Sequence, residues 1–505
     1  MNWQPDISDR RGPRYRVIAD RIADDIQDGR LSPGDRMPTH RELARQLGVT
    51  VGTITRAYAE AERRGLIAGH VGRGTFVNPL RETNGDAGPA GRADPSVLGG
   101  PVGVVPAPTP AGGGADRAAT PRATLPVPVI PPPDPKAPID LSRLVPARGA
   151  QALAVSQALT AVAGSVMAVG GYTNGKGQEA YGKASSAIRG FLKENLLTEF
   201  SAQSVFTSSG RAAIYGVLAA LVGPNEIVLT DTATYDGLRP IADLLGLRLE
   251  PVAGDRDGML PESLELACWS SKANFLFLMP TLHNPTGVTM PEARRQVIAE
   301  LADKYKLSVI EDEVCGLLAG ASRPAPFVTR IPERTVLIAS FSKCVSSELG
   351  LGVVTGPAAL THRLKSIVDT IGTAPLASHV AATARLIDSG EMGELLAWQR
   401  QEIGARQAIA REELGDLDVW GAPLSPHVWL ELPTPWRVRD FERELARHDV
   451  VVQGPDAFTP ERAAAAHAVR IVLTAAASQD ILRTGLGRIA SCFQPMMQRS
   501  AAAAT

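Results

Sequence analysis

Cysteine is scarce in this chain: four in 505 residues, at positions 268, 315, 344 and 492. They are scattered, without the spacing of a metal-ligand set or a disulfide framework, so a stapled extracellular scaffold and a zinc module are both excluded. Long apolar runs are lacking as well, and none reaches the roughly 20 residues that a membrane span requires. The first twelve residues are polar and charged rather than leader-like. Nor is charge one-sided: 52 basic residues stand against 53 acidic ones, so global electrostatics selects no partner. Together these absences point to a cytoplasmic protein of a reducing, bacterial-type compartment.

What is present is apolar material, at 44% ample for large cores, in a chain too long for one ordinary domain. Composition divides it. Between residues 80 and 138 Pro, Gly and Ala dominate, ending in Pro131-Pro132-Pro133. Too few large apolar side chains occur there to offset the entropy of ordering the backbone. The segment reads as a tether with a coil-like span of roughly 40–50 Å. The expected organisation is one domain over residues 1–79, this linker over 80–138, and a large domain over 139–500.

Residues 15–28 carry Ile18, Ile22 and Ile26 at helical spacing and stop at Gly29. After a turn at 31–35, Thr39-His40-Arg41-Glu42 forms a capping box that opens a second helix over 41–47, ended by Gly48. Thr50 is placed to cap a third helix reaching residue 64, with Gly65 behind it. Residues 66–77 then read as two short strands about a glycine-rich turn. Three helices, a tight second turn and a wing describe an α+β winged helix-turn-helix. Residues 1–79 hold 13 Arg and no Lys against 10 acidic residues, and the arginine fork suits phosphates and guanine edges. A small helical protein-interaction domain with a solvated arginine face has the same counts.

A motif separates the two. Leu31-Ser32-Pro33-Gly34-Asp35-Arg36-Met37-Pro38-Thr39-His40-Arg41-Glu42-Leu43-Ala44, with Gly48-Val49-Thr50 and Gly72-Arg73-Gly74-Thr75-Phe76-Val77, resembles the GntR-type signature almost position by position. The resemblance implies binding to double-stranded operator DNA. Arg41 would contact phosphate or base, Thr50, Thr53, Thr55 and Arg56 would enter the major groove, and Gly72 and Arg73 would sit at the wing. Where some relatives have arginine just after Thr50, this chain has Val51, which suits a thymine methyl.

The large domain is organised about residues 281–352. Apolar runs at 275–279, 307–310 and 335–339 each fit a buried parallel strand. Behind them come His283-Asn284-Pro285-Thr286-Gly287, Glu311-Asp312-Glu313-Val314 and Ser340-Phe341-Ser342-Lys343. Chemistry in open α/β sheets sits at the carboxyl ends of the strands, so an amide, a carboxylate and a lysine converge on one crevice. Singly, Asn-Pro-Thr-Gly is an ordinary turn and Ser-x-Ser-Lys an ordinary loop. In this order they suit pyridoxal phosphate. The lysine takes the aldehyde, the carboxylate keeps the pyridine nitrogen protonated, and the amide steadies the phenolic oxygen.

Residues from about 140 to 495 resemble a fold-type I, aspartate-aminotransferase-like domain. This implies an α/β fold with a mainly parallel central sheet and a smaller C-terminal α/β subdomain. It also implies that Asn284 faces the phenolic oxygen, Asp312 the pyridine nitrogen, and that Lys343 is the Schiff-base lysine. Residues 205–210 read as a strand running into a small-residue turn before a helix, whose free amides suit a phosphate. The resemblance makes Ser209, Gly210 and Arg211 the phosphate loop, adds Ser340 to the cofactor set, and stacks Tyr235 on the pyridine. Tyr172 would cross to the phosphate of a partner subunit in a homodimer; a buried tyrosine without a ligand is the other reading. Arg470, inside an apolar strand at 468–473, would fork onto a carboxylate of the substrate or effector, or else belong to an internal salt bridge.

Two positions depart from the aminotransferase pattern. Cys315 stands where relatives have a tyrosine that contacts the phenolic oxygen. Gly350 occupies the place of an arginine that forks onto the phosphate, and Glu348 adds a nearby negative charge. Arg211 is the cation expected to make up that loss. These departures argue against efficient transamination. A GntR-type head tethered to such a domain is similar in architecture to the MocR/PdxR subfamily of bacterial transcriptional regulators. That implies a homodimer reading two operator half-sites, governed by pyridoxal phosphate and by an amino acid or other amino-compound effector. Two alternatives stay open here: an active aminotransferase with an accessory head, and a regulator whose pocket no longer holds the cofactor.

Overall fold

The computed structural model describes residues 3, 5, 14–32, 34–63, 66–70, 74–77, 137–164, 175–201, 203–320, 323–434, 436–460 and 466–493. The chain divides into two compact units, residues 1–120 and 121–505. In the first, α1 (Arg14–Gln27), α2 (His40–Leu47) and α3 (Val51–Arg63) precede the antiparallel strands β1 (Ile67–His70) and β2 (Gly74–Val77). The stripe Ile18, Ile22, Ile26 meets Leu43, Ile54, Tyr58 and Ile67 in a single core. Each such fully buried aliphatic side chain contributes roughly 1.5–3 kcal/mol.

The caps fall where the sequence puts them. Thr39 Oγ1 accepts from the Glu42 amide at 3.3 Å, so α2 begins at His40, one residue before the expected start. Gly48 closes α2 at φ +61°, a left-handed conformation that favours glycine. Thr50 Oγ1 accepts from the Thr53 amide at 3.3 Å at the start of α3. Residues 64–65, the wing tip with Gly72 and Arg73, and linker residues 80–136 lie outside the described residues.

The second unit begins with β3 (Ile139–Asp140) and is built on a seven-stranded sheet. Its strands are β4 (Val205–Thr207), β5 (Ile227–Asp231), β6 (Arg248–Val252), then, after the small hairpin β7 (Gly254–Asp255) and β8 (Gly258–Met259), β9 (Phe275–Leu278), β10 (Ser308–Glu313), β11 (Thr335–Ser340) and β12 (Gly352–Thr355). The order is β4-β12-β11-β10-β9-β5-β6, with β12 alone antiparallel to its neighbours. Successive residues face opposite layers. Phe277, Ile310 and Ile338 pack with the helices Gly210–Leu221 and Ala358–Ile371, whereas Leu276 and Val309 pack with Pro261–Ser271 and Glu292–Lys304. Both faces are covered, which explains the continuous apolar runs in the sequence.

Strand β10 runs on through three acidic residues rather than stopping at residue 310. Burying carboxylates is costly unless they are paired and hydrogen-bonded. Glu311 accepts from the Phe327 and Val328 amides at 2.8 and 3.1 Å. Glu313 pairs with Arg323 at 3.0 Å and accepts from the Thr281 hydroxyl at 2.7 Å. Beyond this sheet, β13 (Val419–Trp420), β14 (His427–Glu431) and, after β15 (Val450–Val451), β16 (Ala468–Val472) supply the smaller subdomain. The antiparallel sheet β13-β14-β16 shares a core with the helices Val438–Arg447 and Gln479–Ser491. Strand β15 pairs in parallel with β3, tying the start of the unit to its end. Among the described residues, no helix is long and apolar enough to cross a membrane.

Candidate functional site

Strands β9, β10 and β11 lie side by side and parallel, so their carboxyl ends bring the segments after each to one edge. Asp312 Oδ1 accepts from the Val314 amide at 3.0 Å, while Oδ2 is buried without a hydrogen-bond partner. Burial, only partly offset by that amide, pushes Asp312 up to about 7. Lys343 Nζ donates to the Leu144 carbonyl at 2.9 Å. Burial holds its ammonium below the ordinary lysine range, with Cys315 and Asp236 opposing the shift. Lys343 also feels Arg211 and Arg470, and Tyr235 feels Asp312, so these groups share one crevice.

Arg470 sits on β16 opposite Trp429. Its Nη1 donates to Asn284 Oδ1 and its Nη2 to the Ser142 carbonyl, both at 2.6 Å; Nε is buried without a partner. The Phe458 ring lies 4.6 Å from the guanidinium carbon. Burial lowers Arg470 to about 10. Its fork is thus held by neutral oxygens, and no carboxylate among the described residues forms the internal salt bridge offered as its other reading. The bond fixes the oxygen end of Asn284 and leaves Nδ2 to donate elsewhere.

At the end of β4, Ser209 Oγ accepts from the Ala212 amide at 3.1 Å and caps the helix Gly210–Leu221. The amides of Gly210 and Arg211, in its first turn, have no intrahelical acceptor, which is the geometry that cradles a phosphate. Gly210 packs closely here: a Cβ would stand 3.0 Å from Val314 Cγ1 and 3.4 Å from Ser340 Cβ. Arg211 Nε donates to the Tyr235 hydroxyl at 2.9 Å. Ser340 donates to the Leu351 carbonyl at 2.9 Å and accepts from the Ser342 amide at 3.2 Å, so its proton is committed within its own loop. Tyr172 lies outside the described residues.

Both departures border this crevice. Burial pushes the Cys315 thiol up to about 12, so it is a neutral and weak donor beside Asp312 and Lys343. Gly350 adopts φ +50°, and a Cβ there would stand 3.1 Å from His379 Nδ1 and 3.5 Å from the Ser208 carbonyl. The position does adjoin the phosphate loop, and His379 fills the space beside it. Glu348 is exposed. Sequence reasoning missed the carbonyls of Ser142 and Leu144, because backbone acceptors leave no side-chain signal. It also missed Asp236, whose proximity to Lys343 and Arg470 comes only from the fold.

In the winged unit, Thr50, Val51, Thr55 and Arg56 are exposed at the opening of α3. The hydroxyls of Thr50 and Thr53 lie 2.9 Å apart, and that of Thr55 donates to the Val51 carbonyl at 3.1 Å. The Arg56 guanidinium stands 5.2 Å from the centre of the Tyr15 ring. Tyr58 donates to the Pro38 carbonyl at 2.8 Å and fastens α3 to the segment before α2. Hydroxyls, an apolar side chain and a guanidinium on one helix start are the donors and contacts that base edges and phosphates accept. The backbone of Arg41 lies in α2; its side chain is outside the described residues.

Residues 140–489 match the model for aminotransferase class I and II, and residues 14–77 that for bacterial regulatory proteins of the gntR family. Fold and site thus define a DNA-binding transcriptional regulator with an aminotransferase-like domain that binds pyridoxal phosphate. The uncharacterized HTH-type transcriptional regulator YdeF of Bacillus subtilis is 27% identical, over 96% of each chain. The HTH-type pyridoxine biosynthesis transcriptional regulator PdxR of Corynebacterium glutamicum is 24% identical over 77% of this chain and 76% of its own. The chain belongs to the aminotransferase class I and II family and, through its GntR head, to regulators of the MocR/PdxR type. The fold is also that of an archaeal alanine:glyoxylate aminotransferase, with a TM-score of 0.64 at 20% identity over 71% of this chain and 91% of that one.

Proposed function

We propose that the affinity of this regulator for operator DNA is set by pyridoxal phosphate in the crevice and by an amino compound that meets it there. The observation that carries this reading is Asp312 Oδ2, a buried carboxylate oxygen without a donor in the same crevice as the Lys343 amine. A protonated pyridine nitrogen matches it. When bound, pyridoxal phosphate supplies an aldehyde that reacts with primary amines and a ring that withdraws electrons.

The residues divide the work. Asp312 accepts from the ring nitrogen, Asn284 Nδ2 donates to the phenolic oxygen, and Tyr235 packs against the ring. Ser209, Gly210 and Arg211 hold the phosphate, with Ser340 supporting their loop. Lys343 meets the aldehyde with an amine that burial keeps easy to deprotonate. Arg470 orients an incoming carboxylate. Because its fork already holds Asn284, a bound carboxylate and the position of that amide are coupled. The buried thiol of Cys315 and the glycine at 350 favour sensing over turnover.

In the head, Arg41, Thr50, Thr53, Thr55 and Arg56 read the major groove, and Gly72 and Arg73 follow the backbone at the wing. Two copies form a homodimer in which the partner subunit's Tyr172 completes the phosphate site and two heads engage two half-sites. Residues 1–79, 80–138 and 139–500 are the head, the tether and the sensor, acting in the cytoplasm. Regulation requires the ligand to bind the two DNA-affinity states differently. The test is fluorescence anisotropy on DNA selected from a random pool, with and without pyridoxal phosphate and a panel of amino acids. A coupling of about 5-fold or more in affinity is expected. Identical affinity in every condition would overturn the regulatory reading.

A further inference from the structure

A cavity of about 190 Å³ lies beside the cofactor crevice without belonging to it. Asp231, His283, Trp420, Trp429 and Glu431 line it, and none of Asn284, Asp312, Lys343 or Arg470 does. Its size suits a small organic molecule, since an apolar cavity of about 150 Å³ already admits benzene. A packing void is apolar and dry; this one carries carboxylates and indoles.

The polar groups are without their natural partners. Asp255 also borders the cavity, but Arg294 neutralises it with hydrogen bonds of 3.0 and 3.2 Å. Neither Asp231 nor Glu431 pairs with a lysine or arginine among the described residues. The imidazole of His283, only 9% exposed, has its Nδ1 engaged by the Thr286 hydroxyl at 2.8 Å. Its Nε2 is buried without a hydrogen bond, 3.5 Å from Asp231 Oδ2. Trp420 Nε1 is likewise buried without an acceptor, and the Arg256 guanidinium stands 5.1 Å from the centre of that ring. Two carboxylates without a lysine or arginine partner, lining one cavity with two indoles, bring negative potential and π-faces together, which is the environment of a bound organic cation.

We propose that this cavity is a second ligand site, taking a small organic cation that carries N–H donors. Asp231 and Glu431 accept from the cation, and the indoles enclose its apolar part. The position gives it leverage on the cofactor crevice. His283 directly precedes Asn284, and its carbonyl accepts from His427 Nε2 at 3.0 Å. Trp429 lies opposite Arg470 in the β14–β16 ladder. A cation here bears on the backbone neighbours of both partners of the Arg470–Asn284 bond without touching either.

The test is calorimetric titration of the full-length, pyridoxal-phosphate-loaded protein with methylguanidinium. This ion is charged, carries N–H donors and does not condense with an aldehyde; methylurea is its neutral isostere. Saturable binding of one methylguanidinium per chain is expected, with none for methylurea. Glu431→Gln and Asp231→Asn should each weaken binding at least tenfold. A cooperative thermal transition qualifies each variant as folded. If Asp231→Asn lacks one, Glu431→Gln decides alone, because its side chain is partly exposed and unpaired. Non-saturable binding, or equal binding in the carboxamide variants, would overturn the proposal.

Discussion

Replacing Asp312 by Asn separates the cost of a buried carboxylate from its use. Burial lifts this group from its ordinary 3.8 to about 7, a difference worth roughly 4 kcal/mol between its charged and neutral forms. The folded value lies above the unfolded one, so the native state binds more protons between them. The penalty is therefore absent below about pH 4, grows as the pH rises, and is complete above about pH 7. Asn keeps an oxygen for the Val314 amide but brings a buried N–H donor, which costs about 1–3 kcal/mol. Cofactor-free Asp312→Asn should thus be more stable than the parent by roughly 1–3 kcal/mol at pH 8, and the gap should close on acidification. Pyridoxal phosphate should bind it roughly 10–150-fold more weakly, the value of a hydrogen bond to a charged group. Thermal unfolding across pH, paired with equilibrium dialysis of the cofactor, reads both effects. Unchanged cofactor affinity, or a variant less stable than the parent at pH 8, would refute the reasoning.

Arg211→Ala removes both the cation at the phosphate loop and the hydrogen bond to Tyr235, and should weaken cofactor retention at least tenfold in the same dialysis; equal retention would show that His379 or the backbone suffices. Arg470→Lys, which cannot fork onto a carboxylate, should abolish the spectral response to amino acids while sparing that to alkylamines, and parallel loss of both would contradict the assignment. Thr50→Ala should destabilise the winged unit by about 1 kcal/mol through loss of its helix cap, seen as a lower first transition in calorimetry of the whole chain. Arg56→Ala should reduce DNA affinity and flatten the slope of log affinity against log salt by about 1. Unchanged affinity and slope would remove Arg56 from the DNA interface.

Much of the architecture was legible because short-range rules set it. The Thr39 and Thr50 caps, Gly48, and the continuous burial of β9 and β11 each follow from local chemistry. The extent of β10 was not legible. In sequence the Glu-Asp-Glu run falls behind the apolar strand, and only Arg295, Arg323 and the amides at 327 and 328, from distant positions, supply the partners that let the strand continue through it. The candidate site divides in the same way. Asp312, Asn284 and Lys343 are announced by motifs behind strands. The carbonyls that hold Lys343 and Arg470 come from residues 142–144 and are visible only once the chain has folded back on itself. The cavity about His283 and Glu431 was equally hidden, because its walls come from segments as far apart in the chain as Asp231 and Ala466.

The visible absorption spectrum of the purified protein, before and after addition of pyridoxal phosphate and beside Lys343→Ala, tests the central claim most directly. A visible band that survives dialysis in the parent and is lost from Lys343→Ala is the expected result. A protein that stays colourless with added pyridoxal phosphate, or a band indifferent to Lys343, would contradict it and leave the large domain as a scaffold that senses something else.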